Sequence, residues 1–172
     1  MRKIILSGYM GCGKTTIATE LALKTGLPNI DLDHYIEGIS HMPVNEIFHK
    51  KGELFFRKTE HNALMKIMQI GKPFILSLGG GTPCYFDNMK LLHGADIISF
   101  YLQASIDTLY CRLRSSEINR PLIMNIPDPD LKQFIGKHLF ERNFYYTQAT
   151  HTINTDGRTP DTIAEEIISK LV

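Results

Sequence analysis

The run Gly8-Tyr9-Met10-Gly11-Cys12-Gly13-Lys14-Thr15-Thr16 constrains this chain more than any other stretch, because it satisfies G-x-x-x-x-G-K-[ST] between two differently patterned segments. Before it, Ile4, Ile5 and Leu6 form a short apolar run suited to a strand buried on both faces. After it, Ile17, Ala18, Leu21 and Ala22 mark the inner stripe of a helix that Gly26 and Pro28 terminate. Strand, glycine loop and helix together make a phosphate cradle: the glycines let backbone N–H groups turn inward, and the helix adds its positive end. Lys14 is expected to reach the β- and γ-phosphates of a nucleotide, and the Thr15 hydroxyl to sit on Mg²⁺.

The 172 residues suit one domain with a core that needs no covalent staple. A net charge of +1 gives no broad electrostatic case for nucleic acid or a membrane surface, so anion handling is expected in a pocket. Cys12, Cys84 and Cys111 are an odd set without metal-ligand spacing, which fits a reducing compartment. There is no export-signal pattern and no apolar run near the ~20 residues that span a bilayer, so a cytoplasmic protein is expected. His34, His41, His49 and His61 match neither an i,i+4 pair nor a zinc module and are expected to be surface or structural.

Further along, Asn29 to Asp33 reads as a second strand carrying Asp31 and Asp33 on one side near its carboxyl end, where open α/β sheets bind ligands. Pro43 to Phe48 suggests a short helix, and a long one starts at Gly52-Glu53 and ends at Gly71-Lys72-Pro73. Phe74 to Leu78 reads as a central strand that stops in Gly79-Gly80-Gly81, a turn that lets a ligand lie against the main chain. Ile97 to Leu102 is a fourth strand, and Ser105 caps a helix whose inner stripe is Ile106, Leu109 and Leu113. Arg114 to Pro127 is polar and reads as an exposed, mobile loop. Asp128-Pro129 then gives the cap and first-turn proline of a helix that carries Arg142 and Tyr145 at its far end. Thr150 to Thr155 is a fifth strand, and Thr159-Pro160 starts the last helix. Five strands alternating with helices imply a parallel sheet covered on both faces, joined by right-handed crossovers.

Asp31, Asp33, the triple glycine and Arg57, Arg120 and Arg142 are all placed to converge over the strand ends. Arginine suits bidentate capture of a carboxylate or phosphate. Asp33 is placed to accept hydrogen bonds from sugar-like hydroxyls and to orient or deprotonate one of them.

In order, the chain carries the P-loop, Asp31-Leu32-Asp33, Gly52-Glu-x-x-Phe-Arg-x-x-Glu60, Ser77-Leu-Gly-Gly-Gly81, Arg120-Pro121-Leu122 and Arg142-x-x-Tyr145. This series resembles the shikimate kinase family over essentially the whole length. The resemblance implies a three-layer α/β/α P-loop kinase fold, nucleoside-monophosphate-kinase-like, with a five-stranded parallel sheet of order 2-3-1-4-5. A single domain over 1–172 is expected, with an acceptor region at about 33–61 and a lid at about 114–127. The implied reaction moves the ATP γ-phosphate to the 3-hydroxyl of shikimate, by a monomer that uses Mg²⁺.

By the same resemblance, Gly11, Cys12, Gly13, Lys14, Thr15 and Thr16 hold ATP. Arg57, Arg142 and Arg120 hold the shikimate carboxylate and the travelling phosphoryl group. Gly79, Gly80 and Gly81 contact the acceptor through backbone, Asp33 binds ring hydroxyls as the base, and Phe48 and Phe56 wall the pocket. Lys14, Asp33 and Arg120 are the catalytic set. Asp31 orients metal-bound water beside Thr15, with help from Ser77. Arg112 or Arg114 lies against the adenine with Arg158 and Pro160, although Leu113 to Asn119 lacks the glycine-containing lid of some relatives. Glu60 is expected to pair with Arg57 and fix its fork. Two other readings stay open on the residues: a kinase of another small acceptor such as gluconate or a nucleoside monophosphate, and a non-catalytic nucleotide-binding module.

Overall fold

The computed structural model describes residues 2–115 and 122–171. Five strands, β1 (Lys3–Ser7), β2 (Asn29–Asp31), β3 (Ile75–Ser77), β4 (Ile97–Gln103) and β5 (His151–Asn154), pair in parallel in the order β2-β3-β1-β4-β5. The helices are α1 (Lys14–Thr25), α2 (Leu32–Ser40), α3 (Val44–Lys51), α4 (Glu53–Met68), α5 (Asn88–Leu91), α6 (Ile106–Arg114), α7 (Asp128–Tyr146) and α8 (Pro160–Ser169).

Alternation along β1 explains the layering. Ile4 and Leu6 point into a core shared with α1, α6, α7 and α8, whereas Ile5 points into a second core made with α2 and α4. A central parallel strand must be apolar on both faces for this reason, and all three residues are fully buried. The ends of the helices follow local chemistry. Gly26 adopts φ 71° and closes α1 by donating its N–H to Ala22 O at 2.9 Å. The Ser105 and Thr159 hydroxyls accept the N–H groups of Thr108 (3.2 Å) and Thr162 (3.3 Å), capping α6 and α8.

Four expectations change. The second strand ends at Asp31, because its Oδ1 accepts the N–H groups of Asp33 (3.0 Å) and His34 (3.3 Å) and so caps α2; Asp33 therefore sits in a first helical turn. The α7 helix already includes Asp128, with Pro127 as the flanking residue. Ile106 is 36% exposed at the start of α6, so Leu109 and Leu113 carry that helix's buried face. The Arg114–Pro127 stretch is not uniformly exposed: Leu122, Ile123 and Ile126 pack against the larger core, while 116–121 lie outside the described residues. Among the described residues no helix is long and apolar enough to cross a membrane.

Candidate active site

Two adjoining chambers open over the carboxyl ends of the strands, one of about 620 Å³ and one of about 320 Å³. Met10, Thr15, Asp31, Asp33, Gly79 and Gly80 line both, so the chambers meet at the tip of the P-loop.

The larger chamber is built on the loop between β1 and α1. Gly13 holds φ 101°, a left-handed backbone that a side chain would strain. Lys14 Nζ donates to the carbonyls of Gly8 (2.9 Å) and Tyr9 (3.0 Å), so the cation rests on its own loop. Arg112 Nη1 donates to the carbonyls of Gly11 (3.3 Å) and Cys12 (3.2 Å), bracing the loop from α6. Arg158 lines the far wall with Pro160, and donates to Glu166 Oε2 at 2.6 Å and to the carbonyls of Asn154 and Thr162. Arg114 instead pairs with Asp128 at 3.4 Å on the exposed surface and lines neither chamber.

At the junction the Thr15 hydroxyl donates to Asp31 Oδ2 at 3.0 Å. The Ser77 hydroxyl is buried at the end of β3 with no hydrogen-bond partner among the described residues. Among the described residues, no three His, Cys, Asp or Glu side chains gather there into a closed metal cage. A hydroxyl and a carboxylate in contact fit Mg²⁺, which keeps several waters and takes its remaining oxygens from phosphates.

The smaller chamber holds the expected acceptor residues. Burial is the main force that raises the Asp33 carboxyl to about 6; the negative charges of Glu60 and Asp31 add to it, and Lys14 and Arg57 partly offset it. Arg57 is buried between the Phe48 and Phe56 side and the Tyr85 ring, whose centroid lies 4.4 Å from its guanidinium carbon. Burial alone would weaken its charge, but Glu60, with no exposed surface and 3.0 Å from Nη1, outweighs it and raises its pKa. A Cβ on Gly81 would lie 2.6 Å from Arg57 Nη2, so only glycine lets the fork rest there. Arg142 is 5% exposed, and its Nη1 has no hydrogen-bond partner among the described residues.

The expected site residues that the structure describes line one chamber or the other, except Arg114 and Ser77, which line neither; Arg120 lies outside the described residues. Sequence reasoning missed three features. Met10 and His34 line both chambers, and Leu122 lines the smaller one. Tyr9 OH contacts His138 Nδ1 at 3.0 Å, which ties the P-loop to α7; burial, followed by the Arg142 charge, lowers that imidazole to about 4, so the ring is neutral at neutral pH. The Tyr146 hydroxyl donates to Gly80 O, which ties α7 to the glycine turn as well. Tyr9 and His138 lie 129 residues apart, and only the polar ends of two otherwise core-like rings hinted at a pairing.

The family model described as shikimate kinase matches residues 10–172. A shikimate kinase of Flavobacterium johnsoniae is 48% identical over 171 residues, covering 99% of each chain. The crystal structure of shikimate kinase from Bacteroides thetaiotaomicron superposes with a TM-score of 0.90 at 35% identity, covering 99% of this chain and 98% of that one. Shikimate kinase from Acinetobacter baumannii in complex with shikimate gives a TM-score of 0.90 at 30% identity, covering 99% and 93%.

Proposed function

This chain belongs to the shikimate kinase family, and from that premise we propose how its two chambers divide the work of moving the ATP γ-phosphate to the 3-hydroxyl of shikimate. The larger chamber takes ATP and the smaller takes shikimate. The observation that carries the assignment is their meeting point, where Thr15, Asp31, Asp33, Gly79 and Gly80 line both chambers and Lys14 lines the larger.

In this reading Arg57 and Arg142 hold the acceptor's carboxylate, and Nη1 of Arg142, which has no hydrogen-bond partner among the described residues, is a donor for that anion. The backbone of Gly79–Gly81 approaches the ring, and Phe48 and Phe56 cover its apolar face. Asp33 accepts the proton of the 3-hydroxyl as that oxygen attacks the γ-phosphorus, and ADP leaves with the bridging oxygen's electrons. A carboxyl held near 6 is ionised at neutral pH and more basic than an ordinary aspartate, which suits it to this step. Lys14 leaves its loop carbonyls for the β- and γ-phosphates, and Arg120 adds charge to the travelling group. Thr15, and Asp31 through water, would hold Mg²⁺, which would supply charge neutralisation at the phosphates. Arg112 and Arg158 lie on the adenine side. The protein works as one kinase domain over 1–172, with acceptor region about 33–61 and lid about 114–127, as a cytoplasmic monomer.

Shikimate-dependent ADP production, with and without Mg²⁺ and beside gluconate and nucleoside monophosphates as acceptors, tests this reading. Turnover on shikimate that requires Mg²⁺ is expected. Turnover on gluconate or a nucleotide with none on shikimate overturns it, and ATP binding without transfer to any acceptor points to a non-catalytic module.

A further inference from the structure

Behind Arg57 runs a chain of hydrogen bonds that none of these roles uses. Glu60 receives Arg57 Nη1 on Oε2 at 3.0 Å and the Thr82 hydroxyl on Oε1 at 2.6 Å. The Thr82 carbonyl accepts Asn88 Nδ2 at 2.8 Å, which leaves Asn88 Oδ1 to accept the Nδ1–H of His61 at 2.7 Å. Glu60, Thr82 and Asn88 have no exposed surface. Thr82 directly follows the glycine turn, and its N–H donates to Gly79 O at 3.1 Å. The turn is thereby bolted to α4 at two points, Glu60 and His61.

A buried carboxylate needs both oxygens satisfied. With Oε1 committed to Thr82, Oε2 has one partner left to serve, and that partner is Arg57. The other neighbours of Arg57 do not set its direction as firmly. The rings of Tyr85, Phe56 and Phe48 offer faces, which leave rotation within the guanidinium plane open. Glu53 is 45% exposed and is reached only at 3.3 and 3.4 Å.

We propose that Thr82 is a positioning residue for acceptor recognition: its hydroxyl aims the Glu60 carboxylate, and through it the Arg57 fork, while Asn88 and His61 hold Thr82 in place. The proposal rests on the reading that Arg57 binds the acceptor's carboxylate. Thr82 itself contacts no reacting atom.

Thr82→Val removes the hydroxyl and keeps the shape, Thr82→Ser keeps the hydroxyl, and Thr82→Ala serves if the valine variant does not fold. Shikimate and ATP saturation kinetics are measured for each, with shikimate affinity by calorimetry and Tm by thermal melting. Loss of a hydrogen bond to a charged group is expected to raise the shikimate KM and Kd about tenfold in the valine or alanine variant. The ATP KM stays within about twofold, and serine restores shikimate binding. The inference is overturned if a folded valine or alanine variant binds shikimate as the wild type does, or if both KM values rise together in step with a fall in Tm. A wild type that neither binds nor phosphorylates shikimate defeats the functional reading itself, and that result is seen before any variant is made.

Discussion

Replacing Gly81 by alanine isolates the contact between the glycine turn and Arg57. The backbone there has φ −96° and ψ −14°, which any residue adopts, so the substitution introduces no backbone strain. Its whole effect is the new Cβ, which would stand 2.6, 2.7 and 2.8 Å from Nη2, Nη1 and Cζ of Arg57. Relief to an ordinary 3.4 Å contact needs a shift of 3.4 − 2.6, about 0.8 Å. An exposed arginine would make that movement at little cost, but this fork is held at 3.0 Å by a carboxylate with no exposed surface and lies between aromatic rings. A 0.8 Å displacement stretches that bond beyond hydrogen-bond range, with a loss of about 1.5–3 kcal/mol. Part of the loss falls on stability and part on the acceptor site, so kcat/KM for shikimate is expected to drop about ten- to a hundredfold. Steady-state assays that vary shikimate at saturating ATP, and the reverse, separate this from a general defect. Gly71→Ala is the control, because its Cβ would meet nothing within 4 Å. A Gly81→Ala enzyme that keeps its shikimate KM within about twofold would refute the claim that the turn fixes the Arg57 fork.

With Asp33 raised to about 6, its active, ionised form falls from about 90% at pH 7 to about 10% at pH 5, so kcat/KM for the acceptor should drop nearly tenfold over that interval; a profile flat to pH 5 counts against Asp33 as the base. The same shift has a sign for stability. The folded state holds this proton more tightly than the unfolded chain does, so the contribution is full below the ordinary aspartate range and is lost as pH rises through about 6. Asp33→Asn should therefore abolish transfer yet raise Tm at pH 7, and a lower Tm would show the carboxylate to be structural. Lys14→Ala should remove phosphoryl transfer with little change in Tm, since among the described residues the ammonium bonds two loop carbonyls and, at 3.8 Å, the Cys12 sulfur; retained activity refutes its role. Thr159→Ala, which deletes the cap of α8, should cost about 1 kcal/mol in denaturant melts.

How much of this was readable beforehand depended on the range of each interaction. The P-loop, the cap at Ser105 and the strand order rest on local spacing or on a familiar series of motifs, and the structure reproduces them. Asp33 was harder to place, because Asp-Leu-Asp alternates like a strand while Leu32 and Ile36, both fully buried, are spaced like a helix. The two Asp31 bonds to following amides decide for the helix, and a cap of that kind competes with strand pairing at each Asp in a sequence. The Glu60–Arg57 pair was legible from its i,i+3 spacing. The Glu60–Thr82 bond spans 22 residues and two different elements, and no periodicity encodes such a pairing.

On the proposed roles, Arg142, whose Nη1 has no hydrogen-bond partner among the described residues, and the ionised Asp33 put stability and activity in opposition within one chamber. Each is a place where the free protein is worse off than it need be, one through a donor without an acceptor and one through a charge held away from water. Any selection that rewards heat resistance alone will find these two positions early, and replacing them will yield a sturdier molecule that transfers nothing. A library screened for thermal tolerance in saturating shikimate should spare both, because the ligand then satisfies the donor and restores the value of the charge.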